Sequence, residues 1–200
     1  VAPGDWIEGI NRMNLTLVSS EFSKKVLLDS KFEKRNKQTN ALEAHVQIEK
    51  PLEVLFEGAN TDIYKVIESH QIKNIDLDSI KESFAYLFVG HWMEGDLGED
   101  RKNISGAVYS FFEAFKNKKN QPALILKTSG ATYSITDRLE IERKLQQIKN
   151  LYKKTDRLPN VYILHGDLTD KQMNSLYMHP KIKAMYSLTK AEGFGRPLLE

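Results

Sequence analysis

Phe84-Ala85-Tyr86-Leu87-Phe88-Val89-Gly90 is an uncharged, mostly apolar run closed by a glycine. Its apolar residues are nearly continuous rather than alternating, the pattern of a parallel strand covered on both faces. Three further runs repeat it: Pro122–Lys127 (PALILK), Val161–His165 (VYILH) and Lys183–Leu188 (KAMYSL). Helical periodicity fills the gaps. Asn103–Lys118 spaces Ile104, Val108, Phe111, Phe112 and Phe115 at three-to-four-residue intervals, which predicts an amphipathic helix. Thr136–Lys154 reads as a charged helix carrying Leu139, Leu145, Ile148 and Leu151. Thr169 is suited to cap a short helix through Tyr177, with Asp170 in its first turn where the helix dipole favours an anion. Strand–helix alternation of this regularity predicts an α/β fold, a Rossmann-like parallel sheet with helices on both faces.

Upstream the pattern is weaker. Trp6–Asn11 reads as a short helix and Leu15–Ser19 as a compact strand; Ser20 is placed to cap a helix through about Asp29. Residues 31–44 are polar and aperiodic, so a loop is expected. Glu53–Glu57 reads as a strand ended by Gly58-Ala59-Asn60. Residues 65–82 carry no strong pattern and read as a connection. Two domains are therefore expected: 1–72, part of a second α/β domain with its hinge, and 83–200, the regular α/β domain.

The chain has 200 residues, 40% hydrophobic and 28% charged, within the range of one to one and a half globular domains. A net charge of +2 argues against a general affinity for nucleic acid. The absence of cysteine excludes disulfides and thiolate metal sites, and agrees with a reducing, cytoplasmic setting. No apolar run approaches the roughly 18 residues that a membrane crossing needs. Val1-Ala2-Pro3-Gly4-Asp5 has neither an initiator Met nor a signal-peptide pattern. With a last helix only one turn long, the expectation is an interior piece of a longer protein.

In a parallel sheet the loops after the strands converge on one edge, where ligands bind. Those loops, Gly90–Arg101, Lys127–Tyr133, Gly166–Leu168 and Thr189–Gly195, offer His91, Arg101, Lys102, Lys127, Asp167, Lys190 and Glu192, with Glu200 just inside the last helix. Cations and carboxylates at helix starts suit a ligand bearing both phosphate and hydroxyls, as a nucleotide sugar does. His45, His70 and His179 lack ligand spacing, and the acidic run Asp96, Glu99, Asp100 reads as a solvated loop rather than a metal site.

Glu192-Gly193-Phe194-Gly195-Arg196-Pro197-Leu198-Leu199-Glu200 resembles the E-x7-E element of retaining glycosyltransferases of the GT-B fold, family 4 in particular. Leu87-Phe88-Val89-Gly90 followed by Arg101-Lys102-Asn103 resembles the first strand and lysine-bearing loop of that family's donor domain. Asn160–Gly166 resembles its base-contacting strand and loop. Leu17–Phe22 and Val54–Asp62 resemble the end of its acceptor domain and the run to the hinge. The resemblance implies that Lys102 holds the donor diphosphate, that Glu192 stands by the donor sugar and that Glu200 binds the ribose hydroxyls. It also implies that Gly90, the backbone of Gly193, Phe194 and Gly195, and the backbone at His165 and Gly166 contact the donor. One departure stands out. Relatives place an arginine directly after the strand-ending glycine, where this chain has His91, which leaves Arg101 or Lys127 to supply the second cation.

The implied activity is transfer of a sugar from a nucleoside-diphosphate sugar to the hydroxyl of a glycan, lipid or other acceptor, with retention at the anomeric carbon and no metal cofactor. Carbohydrate biosynthesis in the cytoplasm, with peripheral membrane contact through parts outside this chain, accompanies that expectation, and the piece alone is expected to have little activity. The rival readings are a nucleotide-sugar epimerase of the same architecture and a non-catalytic binding or scaffolding domain.

Overall fold

The computed structural model of the chain describes residues 1–72, 75–93, 95 and 98–200. It forms two compact units: Val1–Gly58 with Gly193–Gly195, and Ala59–Glu192 with Arg196–Glu200.

In the first unit, α1 (Gly4–Ile10) precedes β1 (Thr16–Val18) and α2 (Glu21–Asp29). Ser20 caps α2 as its residue type predicts, its hydroxyl accepting from the Ser23 N–H at 3.1 Å. Residues 31–44 are not the loop that their polarity suggested. They contribute to an antiparallel hairpin of β2 (Phe32–Arg35) and β3 (Leu42–Val46). Asn36 organises its turn by accepting from the N–H groups of Gln38 and Thr39 at 2.9 and 3.0 Å, and Asn40 takes the left-handed conformation, φ 55°. Most side chains of the two strands are exposed, so no apolar alternation marks them in the sequence. β4 (Leu52–Val54) pairs in parallel with β1, Thr16 opposite Leu52, and is shorter than the expected Glu53–Glu57 run. A small core of Ala2, Ile7, Leu27 and Leu52 holds this unit together.

The second unit carries the larger sheet. Its elements are β5 (Ala85–Val89), α3 (Ile104–Phe115), β6 (Ala123–Lys127), α4 (Ile135–Lys149), β7 (Val161–Leu164), α5 (Asp170–Tyr177), β8 (Ile182–Met185) and α6 (Arg196–Leu199). The four strands are parallel in the order β7-β6-β5-β8. All of β6 is buried, which is why it reads as an unbroken apolar run.

Alternate residues along β5 and β6 feed two cores. Phe88, Leu124 and Leu126 pack with Phe111 and Phe112 of α3 and with Ile141, Leu145 and Ile148 of α4. Ala85, Leu87, Ala123 and Ile125 pack with Leu176 of α5 and with Leu77 and Ile80. The buried stripe of α4 differs from the expected one: Leu139 and Leu151 are 59% and 60% exposed, and Ile141 takes the inward place. Leu139 lies two residues off the 141-145-148 stripe, and Leu151 lies beyond the helix end. β8 also stops short of Leu188. Tyr186 instead joins the first core, its hydroxyl donating to the Ala107 carbonyl at 3.2 Å.

Candidate functional site

From β5 the chain crosses to β6 and then β7 on one side; from β7 it returns to place β8 on the other side of β5. The order of connection thus reverses between the adjacent strands β5 and β8, the topological position where open parallel sheets form a crevice. Residues 99–103 and 188–192 meet there. The Lys102 ammonium forms an ion pair with the Glu192 carboxylate, 90 positions away in sequence. Arg101 Nη1 donates to the Ala191 carbonyl at 2.9 Å and reaches the second Glu192 oxygen at 3.4 Å. Around this pair, the Lys190 N–H donates to the Arg101 carbonyl at 3.0 Å, the Lys190 ammonium to the Glu99 carbonyl at 3.0 Å, and Asn103 Nδ2 to the Leu188 carbonyl at 3.2 Å.

Asp100 is not solvated. It is 3% exposed, and its carboxylate accepts from the Ile104 N–H at 3.2 Å and the Ser105 hydroxyl at 3.3 Å. An acceptor before the first turn of α3 satisfies a donor that the helix itself leaves unpaired. Asp96, from the same acidic run, lies outside the described residues.

Beside the Lys102–Glu192 pair is a pocket of about 240 Å³. Gly90, His91 and Lys102 line it from the β5 side, Lys127, Ser129 and Tyr133 from the end of β6 and its loop, and Asp167 from the loop after β7. Lys127 is 8% exposed and donates to the Gly166 carbonyl at 2.5 Å, with its ammonium 5.4 Å from the centre of the Tyr133 ring. Burial pushes the Lys127 pKa down, and the Asp167 charge offsets part of that effect. His91 Nδ1 lies 2.9 Å from the Ser129 hydroxyl. The Gly166 carbonyl, a backbone group expected to face the ligand, thus already has a cationic partner.

Asp137, in the first turn of α4, pins the neighbouring loop. Its carboxylate accepts from the Gly130 and Ala131 N–H groups at 2.9 and 3.2 Å, and His165 Nε2 lies 2.9 Å away. Burial opposes the charged form, yet the hydrogen bonds from His165, Gly130, Ala131 and Thr132 prevail and hold the Asp137 pKa below its usual value. His165 therefore has a side-chain task that the sequence reading, which used only its backbone, did not foresee.

Gly90, His91, Lys102 and Lys127 converge on the one pocket, with Arg101 and Glu192 at the ion pair beside it. Glu200 belongs to a different cluster. Its carboxylate pairs with Arg196 at 2.7 Å and accepts from the Tyr177 hydroxyl at 3.4 Å. Tyr64, whose ring centre is 6.4 Å from that of Tyr177, donates to Asp170 at 3.1 Å; burial, the Glu200 charge and that hydrogen bond push its pKa up to about 12. Gly193, Phe194 and Gly195 group with the first unit, where the Phe194 and Phe56 ring centres are 6.3 Å apart. Sequence reasoning missed Asp137 and Tyr133. A carboxylate three residues after a serine cap was the available signal for Asp137, but its pairing with His165 depends on the order of the strands.

Comparison with family models, curated proteins and solved structures finds no match to this chain. Among the described residues, no helix is long and apolar enough to cross a membrane, and no group of three or more His, Asp or Glu side chains is placed to hold a metal ion.

Proposed function

We propose that the second unit is the donor-binding part of a retaining glycosyltransferase of GT-B architecture, its parallel sheet being the Rossmann-like sheet that carries a nucleoside-diphosphate sugar. The observation that best supports this reading is the convergence of Lys102, Lys127 and His91 on a pocket at the carboxyl ends of β5 and β6, beside the reversal in strand order. Preorganised positive charge at such an edge suits a diphosphate that gains charge as it departs. In this reading the acceptor oxygen forms the new bond to the anomeric carbon as the bond to the diphosphate breaks, and the acceptor proton leaves with the diphosphate. Lys102 is the principal diphosphate ligand, a compact charge with three donors. Lys127 supplies the second cation that the His91 position leaves wanting.

Calorimetric or dye-monitored melting with UDP, GDP, ADP and dTDP tests the reading. A ligand at about 100 times its dissociation constant adds about 2.7 kcal/mol of stability. One nucleotide is expected to raise the melting temperature by several degrees, and Lys102→Ala is expected to abolish the rise. Equal, flat traces for all four would instead favour a non-catalytic module. The internal pairing of Lys102 with Glu192 and of Glu200 with Arg196 is the observation on that side.

A further inference from the structure

We infer that Glu192 is a built-in anion plug: its carboxylate occupies the cationic position that a ligand phosphate takes, so that anion binding requires its release. The inference deepens the donor-site reading and rests on it for the identity of the natural ligand, but not for the competition itself. Lys102 is 8% exposed and lines the pocket, so its ammonium has little contact with water and must find its partner inside the site. The partner in place is Glu192, whose side chain is 22% exposed, and the carboxylate is shared with the Arg101 guanidinium. A carboxylate with two oxygens, one on an ammonium and one on a guanidinium, offers the same charge-assisted contacts as two oxygens of a phosphate.

The segment that carries the plug is tied to residues 99–103 through the Lys190 N–H and ammonium, the Thr189 hydroxyl, the Ala191 and Leu188 carbonyls and the Glu192 carboxylate itself. A dianion in the pocket repels Glu192 and competes with it for Lys102, the cation of the pair that lines the pocket. Once released, the carboxylate is free to serve another part of the ligand, and the loop after β8 loses its principal ionic tie to the start of α3. Ligand entry and loop release are thereby one event.

The test is titration calorimetry with inorganic pyrophosphate on the wild-type chain, Glu192→Gln, Lys102→Ala and the double variant. Glutamine keeps the size and a hydrogen-bond acceptor but loses the charge. The plug predicts that Glu192→Gln binds pyrophosphate about tenfold more tightly, the equivalent of about 1.4 kcal/mol, and that Lys102→Ala removes the gain. Equal or weaker binding by Glu192→Gln, with wild-type circular dichroism, overturns it. UDP, GDP, ADP and dTDP titrated alongside separate the two ideas. Tighter pyrophosphate binding with no nucleotide exceeding pyrophosphate supports the plug and removes the donor-site reading. A nucleotide that binds through Lys102, while Glu192→Gln binds pyrophosphate no more tightly than the wild type, supports the donor site and removes the plug.

Discussion

Lys127 shows how a residue legible in the sequence changes its meaning in the fold. At the end of an apolar strand it reads equally as a phosphate ligand or an exposed terminus; the structure buries it against Gly166 and Tyr133. Its lowered pKa has a thermodynamic sign. Between the folded pKa and the ordinary lysine value of 10.5, the unfolded chain holds a proton that the folded chain has released, so stability rises with pH across that window. Lys127→Met removes this dependence. Urea denaturation from neutral pH to above 10.5 is expected to show the wild type gaining stability relative to the variant as pH rises. Parallel curves would mean that the lysine is solvated when folded. Glu200 makes the complementary point. Arg196, four residues back, is within reach of any sequence reading of Glu200, but Tyr177 is not, because it comes from α5.

Elements followed local chemistry wherever a side chain could act on its own backbone. Ser20, Ser134 and Thr169 cap their helices by accepting from the N–H three residues on. Thr169 and Gln172 form a reciprocal capping box, with distances of 3.3 Å for the Gln172 N–H and 2.9 Å for the Thr169 N–H. Thr169→Ala is expected to lower stability by about 1 kcal/mol, read from the midpoint of urea denaturation, and Thr169→Ser to restore most of it. Local chemistry failed for the β2–β3 hairpin. Its strands expose most of their side chains, and no buried face imposed an alternation that a reader could find.

Across the whole molecule, stability is distributed unevenly. β5 and β6 are hydrogen-bonded on both edges within the four-stranded sheet and packed on both faces, whereas β1, β4 and the hairpin belong to two-stranded sheets. Amides opened only by global unfolding belong to such central strands. Hydrogen exchange is therefore expected to be slowest in Ala85–Val89 and Ala123–Lys127 and fastest in Phe32–Arg35 and Leu42–Val46; comparable rates in both would refute that hierarchy. The sequence by itself determined the four parallel strands, because near-continuous apolar runs mark strands packed on both faces, and the starts of the helices capped by Ser20 and Thr169, because caps act within three residues. Only the tertiary structure decided the strand order β7-β6-β5-β8. That order brings Lys102 to Glu192 and Asp137 to His165 across 90 and 28 positions of sequence. Charges so far apart along the chain leave no periodic trace in it, and only the packing of the sheet sets the distance between them.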